Sequence, residues 1–512
     1  MYSRLLSASI YGLGAQVTWI EVDIETGLPA FNIVGLVNQS VKESKDRIHA
    51  AIENCGYSFP QNRLTVNLTP ANRRKEGSHY DIAIAVGVLT ASKQLEYYDE
   101  YWDKTAMLGE LRLDGKINPV EGVLPMVIGM KNEGIERVII PRANLEEAEL
   151  VKGMMLYPVN TLGEVIDHLS GRISINPVVA KGYTEPEDVR AQADFAEIRG
   201  QNIVKRAAMV AAAGMHGLLM VGPPGVGKSM IGRRIPGILP PLSYDEQLEI
   251  TQVYSVAGLL GAERPMITER PFRAPHHSVT GVTLIGGGRS PHPGEVSLAH
   301  SGVLFLDELP EFDPKVLDML RQPMEDRYIT ITRLGGKCTY PSNFMLVAAM
   351  NPCRCGYYGD PVRQCTCTDT ERKRYVSHIS GPLLDRIDLH ITMERMQYNE
   401  IASESARREI SSAQMRSQVA AACDIQNSRY RNLRIKNNGE LTPTLIKKYC
   451  RLGKSSSRLM EDAFSRWNLS ARSYHRILRL SRTIADLEGS ENIKEEHVLE
   501  ALSYRMPSDL LR

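Results

Sequence analysis

The stretch that most constrains this chain is Gly217-Leu-Leu-Met-Val-Gly-Pro-Pro-Gly-Val-Gly-Lys-Ser229. A short apolar run enters a loop made of Gly222, Pro223, Pro224, Gly225, Val226, Gly227, Lys228 and Ser229, and a helical segment follows. This is G-x-x-x-x-G-K-[ST] in a strand–loop–helix context. The glycines let the backbone curl so that its N–H groups face a β-phosphate, and the following helix N-terminus adds positive potential. Lys228 is placed to reach the β/γ oxygens of ATP, and Ser229 to ligate Mg²⁺. A chance glycine-rich turn would not need this flanking pattern.

Further on, Gly302-Val-Leu-Phe-Leu-Asp-Glu308 is a buried-strand run that ends in two carboxylates. Asp307 fits the acid that holds Mg²⁺, and Glu308 the base that orients and polarises the attacking water. A capped strand end is the bland alternative; beside the phosphate loop, ATP hydrolysis is the better reading. Phe344-Met-Leu-Val-Ala-Ala-Met-Asn351 is another buried strand, and Asn351 at its end is expected between the two preceding strand ends, holding the lytic water. Ser380–Asp388 places Arg386 in a short segment at a domain edge. It serves either as a structural partner of Asp385 or Asp388, or as a finger inserted into a neighbour's ATP. In Ala471-Arg-Ser-Tyr-His-Arg-Ile-Leu-Arg, helical spacing puts Arg472, Arg476 and Arg479 on one face, either solvated or functional.

With 512 residues the chain needs more than one core. Pattern divides it into residues 1–170, a mixed α/β domain; 171–195, a polar linker; 196–395, a second α/β unit; and 396–512, a helical domain. Helices are expected at Ser40–Asn54, Asp81–Ala91, Ile401–Asp424, Pro443–Cys450, Ser456–Trp467, Ala471–Leu487 and Lys494–Ser503. A net charge of +1 gives no polyelectrolyte signature, so an anionic partner must be met by local patches. No run of eighteen apolar residues suits a membrane span, and no signal peptide is read at the N-terminus. A cytoplasmic location is therefore expected, with no structural disulfides among the eight cysteines.

Arg270-Pro-Phe-Arg-Ala-Pro-His-His277, Gly286–His300 and Ser380–Asp388, together with the phosphate loop, resemble the magnesium-chelatase-like branch of AAA+ proteins, specifically the ComM/YifB family. The resemblance covers essentially the whole chain. It implies an AAA+ P-loop core with an α-helical lid, an insert around Ser278–Pro293 and a hairpin around Ile329–Pro341, both facing the channel of a homo-hexameric ring. By similarity, Asn351 is sensor 1, Arg386 the trans-acting arginine finger and Arg472 sensor 2. Ile198 and Gln201 lie on the adenine side. The first domain is similar to the α+β proteolytic domain of Lon. There, Lys75–Asp81 and Gly115–Leu124 correspond to the segments carrying its Ser–Lys dyad. His79 stands where the serine belongs and Leu124 where the lysine belongs, with Ser78 one position off, so the fold is expected without proteolysis.

Cys353-Arg-Cys355 and Cys365-Thr-Cys367 form two C-x-C pairs nine residues apart. Four thiolates suit tetrahedral Zn²⁺, although C-x₂-C is the commoner structural spacing; four reduced thiols are the alternative. For function, the family resemblance implies a DNA motor for helicase or branch-migration work in recombination during natural transformation. Arg289 and His292 in the insert, with Arg333 and Lys337 in the hairpin, are the candidates for tracking single-stranded or branched DNA. The same charges also suit plain surface solvation. An ATP-driven protein remodeller or a metal-chelatase-type subunit is the alternative.

Overall fold

The computed structural model describes residues 1–512 except 72–73, 97–103, 183–192, 262–264, 289–290, 334–335, 396–408, 468 and 506–512. Arg289 and the side chain of Arg333 therefore lie outside the described residues.

Two sheets organise the chain. The first has eight strands in the order Val178–Val179, Met155–Val159, Arg137–Pro141, Thr105–Met107, Tyr2–Tyr11, Gly14–Glu25, Arg63–Thr69 and Ala30–Val34. In its long hairpin, Tyr2–Tyr11 is buried continuously from Leu5 to Ser9, while Gly14–Glu25 alternates buried and half-buried residues over most of its length. Gln39–Asn54 and the almost wholly buried Asp81–Ala91 pack together beside it. The stretch expected as a linker from residue 171 begins differently: Val178–Val179 pairs antiparallel with Met155–Leu156 and extends this sheet at its edge.

The second sheet is parallel and has five strands, ordered Phe272–Arg273, Val303–Leu306, Met345–Met350, Leu218–Val221 and Leu389–Thr392. Its three central strands are buried throughout, as continuous apolar runs in a parallel sheet require. Met345–Met350 sits between Leu218–Val221 and Val303–Leu306, which brings three loop ends together at one edge. From residue 412 the described chain is mainly helical: Ser412–Tyr430, Pro443–Tyr449, Lys454–Trp467, Ala471–Leu487 and Glu495–Ser503. Of the helix expected at Ile401–Asp424, residues 401–408 lie outside the described residues; a described helix starts at Ser412, where Ser411 and Gln414 form a capping box. Arg476 and Arg479 correct the picture of one solvated basic face. Arg476 is buried and donates to Ile387 O at 3.2 Å, while Arg479 pairs with Asp388.

The two sheets are joined through side chains. Ser255 Oγ donates to Glu147 at 2.5 Å, and the Tyr244 hydroxyl to Leu150 O at 3.3 Å. The hairpin Tyr328–Arg333/Gly336–Pro341 leans on the turn between Tyr2–Tyr11 and Gly14–Glu25, with Lys337 N–H donating to the Tyr11 hydroxyl at 2.7 Å. At that turn Gly12 has φ +62°, and a Cβ there would stand 3.4 Å from Thr339 O.

Candidate nucleotide site

The phosphate loop connects Leu218–Val221 to the helix Lys228–Arg234. Gly225 and Gly227 have φ of +81° and +93°, in the left-handed region that glycine adopts freely. Gly222 is required for another reason: a Cβ there would lie 2.6 Å from Met393 O. Lys228, nearly buried, donates to Gly222 O at 2.6 Å, Pro223 O at 2.9 Å and Asn351 Oδ1 at 3.0 Å. Burial, opposed by the Asp307 and Glu308 carboxylates, lowers its pKa to about 8.

Ser229 Oγ donates to Asp307 Oδ2 at 2.5 Å. The hydroxyl and carboxylate thus converge at one point, an all-oxygen pair suited to Mg²⁺. The other Asp307 oxygen accepts the Glu308 N–H at 3.0 Å. Glu308 has φ +53°, an uncommon backbone state for a side-chain-bearing residue and a kind of strain that gathers at functional sites. A cavity of about 370 Å³ is lined by Pro224–Met230, Asp307, Glu308, Met350 and Asn351. Its glycine cradle, buried ammonium and Ser–Asp pair fit a magnesium-bound nucleoside triphosphate.

Arg386 and Arg472 are not among that cavity's lining residues. Both ion-pair with Glu325, Arg386 at 2.7 Å, and all three line a second cavity of about 290 Å³ with Gly217, Phe344 and Leu346. Those last residues mark the opposite ends of the strands whose far ends carry the phosphate loop and Asn351. Ile198 is buried in the core; Gln201 has φ +52° and donates from its amide to Glu394 O at 2.9 Å, next to the Met393 that backs Gly222. Two participants had no assigned role in the sequence. His277 Nδ1 is 3.8 Å from Glu308 Oε2, and Glu325 gathers the two arginines. His277 lies in a quoted motif, whereas Glu325 carries no local signal.

The four clustered cysteines come together. Cys353, Cys355 and Cys365 sulfurs are 3.4, 3.6 and 3.5 Å apart, and all four Sγ atoms lie within 4.8 Å of one another. These separations are too long for disulfides, at about 2.05 Å. They approach the roughly 3.8 Å between sulfurs that tetrahedral bonds of about 2.3 Å to zinc would give. Cys355 N–H and Cys367 N–H also point at Cys367 Sγ and Cys365 Sγ, both at 3.4 Å.

His292 is exposed on the short pair Gly286–Gly287/His292–Pro293, and Lys337 is exposed on the longer hairpin. His292, Cys338 and Tyr340 line one wall of a cavity of about 470 Å³; Ser78, His79, Glu110 and Arg74 line the other. Ser78 Oγ donates to Glu110. His79 is buried, its pKa lowered by desolvation to about 4, so it is a neutral ring donating Nε2–H to Ala8 O at 2.8 Å. Leu124 is fully buried and supplies only its N–H, to Glu147. Among the described residues no helix is long and apolar enough to cross a membrane.

Residues 194–401 match the family of magnesium chelatase, subunit ChlI; residues 20–144 match a second description of that subunit, and 409–505 its C-terminal part. An uncharacterized protein of Mycobacterium tuberculosis is 42% identical over 503 residues, 98% of each chain. Competence protein ComM of Haemophilus influenzae is 40% identical over 516 residues, covering 100% of this chain and 98% of its own. The uncharacterized protein YifB of Escherichia coli is 38% identical over 505 residues, 98% of this chain and 96% of its own. Phosphate loop, paired carboxylates, strand order and end-to-end similarity therefore agree: the chain belongs to the ComM/YifB family of magnesium-chelatase-like AAA+ ATPases.

Proposed function

We propose that this ATPase is a DNA motor working as a homo-hexameric ring, with residues 196–395 as its ATPase core, 396–512 as its lid and 1–170 as a Lon-like domain without proteolytic chemistry. The observation that carries this reading is the similarity to competence protein ComM across both chains. His292 and Lys337 add exposed groups suited to phosphates on two inserts of the core. Arg289 and Arg333 belong to the same segments.

In hydrolysis, the N–H groups from Gly225 to Ser229 hold the β-phosphate and Lys228 the γ-phosphate oxygens. Mg²⁺, held through Ser229 and Asp307, would neutralise charge on those oxygens. Glu308 orients the attacking water and takes its proton, and Asn351 holds that water from the γ-phosphate side. Arg386 and Arg472, gathered on another face of the core, reach a neighbour's γ-phosphate. Ile198 and Gln201 flank the base. Zn²⁺ is the ion we assign to Cys353, Cys355, Cys365 and Cys367; four protein ligands leave no open position, so its role is structural.

The test is the ATPase rate with single-stranded or forked DNA, with Lys228→Ala as control. DNA stimulation that Lys228→Ala abolishes supports the motor. Absence of both stimulation and DNA retention in every nucleotide state rejects it in favour of a protein remodeller or chelatase-type subunit.

A further inference from the structure

The cysteine knuckle packs directly on the phosphate loop. A Cβ built on Gly356 would lie 2.8 Å from Pro224 Cδ and 3.9 Å from the Asn351 side-chain carbon. Gly356 sits at φ +88° between the first cysteine pair and the loop, its N–H donating to Cys353 O at 3.0 Å. Only a residue without a side chain lets these two backbones come so close.

A second contact runs through Asp360 and Arg395. Asp360, between the two C-x-C pairs, accepts from Val362 and Arg363 N–H groups through one oxygen. Its other oxygen, fully shielded, is 2.7 Å from Arg395 Nε, although the N–H is not aimed along that line. Arg395 follows closely on Met393, the residue whose carbonyl oxygen presses on Gly222. A third contact leaves from the last cysteine. Thr368, next after Cys367, caps the helix Asp369–Val376, whose Tyr375 hydroxyl meets the Asn351 backbone N–H. The knuckle therefore bears on Pro224, on the backing of Gly222 and on Asn351.

We infer that the four-cysteine knuckle is a metal-held brace of the phosphate loop, so that occupancy of its thiolates by zinc sets the nucleotide affinity of the ATPase. This rests on the assignment of zinc to those cysteines. With the ion bound, the segment from Cys353 to Cys367 is one rigid body and holds Gly356 against Pro224. Without it, four thiols carry no mutual bond, and the segment is free to move away from Pro224. The loop then samples conformations that do not bind phosphate, and apparent affinity falls by the fraction that remains competent.

The experiment uses the full chain. Metal content is measured, zinc is stripped with a thiol-reactive mercurial and chelator and then restored, and affinity for a fluorescent ATP analogue is followed throughout. The expected result is about one equivalent of zinc, with affinity weakened about tenfold or more on stripping and recovered with added zinc ions. Amide exchange should quicken in 222–229 while the distant strand Arg63–Thr69 stays protected. Less than about half an equivalent of metal with full nucleotide affinity rejects the zinc assignment itself. Stoichiometric zinc that can be removed without change in affinity leaves that assignment standing and overturns the brace. If stripping also exposes Arg63–Thr69, Gly356→Ala decides. This variant keeps all four sulfurs but pushes on Pro224, so retained zinc with weakened affinity supports the brace, and retained zinc with unchanged affinity overturns it.

Discussion

The Lys228 ammonium lies 3.0 Å from the Asn351 side-chain oxygen, a contact between the phosphate loop and the end of the neighbouring strand. Strand order creates it, because Met345–Met350 separates Leu218–Val221 from Val303–Leu306. Asn351 touches the lysine through one end of its amide and has the other end to offer to the γ-phosphate region. Asn351→Ala is expected to lower kcat by about a hundredfold, in line with loss of one preorganised polar group, while ATP affinity changes little. Steady-state ATPase assays with parallel nucleotide-binding measurements check the separation.

Lys228 also predicts a pH dependence. Burial outweighs the nearby Asp307 and Glu308 carboxylates and brings its pKa to about 8. The phosphates of ATP favour the charged ammonium, so binding above that pH must take up a proton. Apparent ATP affinity should be flat below about pH 8 and weaken above it, approaching about tenfold per pH unit. Equilibrium binding between pH 7 and pH 9.5 tests this, and constant affinity across the range would contradict the protonation requirement.

What the sequence made legible follows periodicity and glycine chemistry. Asp81–Ala91 and Ala471–Leu487 appear at the residues their patterns indicate. The phosphate loop, Asp307 and Asn351 converge because strand-end position is a local property. Long-range packing was not legible. Cysteine spacing announces a cluster, but nothing in it says that Gly356 meets Pro224. Helical spacing puts three arginines on one face, but only tertiary structure buries Arg476 and leaves Arg472 beside Arg386. The edge strand Val178–Val179 is two residues long, too short to rise above a polar, glycine- and proline-containing background.

Asp388 ties the helical region to the parallel sheet. Its carboxylate meets His216 Nδ1 at 2.9 Å and Arg479 at 3.4 Å, while His216 Nε2 reaches Thr483 at 2.8 Å. Burial alone would raise its pKa; Arg479, His216 and Arg476 together hold it well below the usual carboxylate range. A depressed carboxylate stabilises the fold above its unfolded pKa of about 4, and that contribution is lost as pH falls toward the folded value. Asp388→Asn is expected to cost about 3–5 kcal/mol at neutral pH by leaving the buried Arg476 and the half-buried Arg479 without their counter-charge. Chemical denaturation should show this gap narrowing below about pH 4.

Arg386 and Arg472 provide the sharpest test of ring assembly. They share Glu325 at the far ends of strands whose other ends hold Lys228 and Asn351, so in the proposed ring their contribution to hydrolysis is made to a neighbouring subunit's nucleotide. Arg386→Ala is expected to lower kcat by about a thousandfold, as loss of an arginine finger does, with ATP affinity of the variant largely kept. Lys228→Ala alone should be inactive because it cannot hold the γ-phosphate. Mixed together, the two variants form some interfaces in which an intact phosphate loop faces an intact Arg386. Partial recovery of ATPase activity over either variant alone is then required. A mixture no more active than its parts, with mixed assembly verified by differently tagged chains, would place hydrolysis within one subunit. Arg472→Ala should behave as Arg386→Ala does in the same mixtures, since both side chains pair with the Glu325 carboxylate.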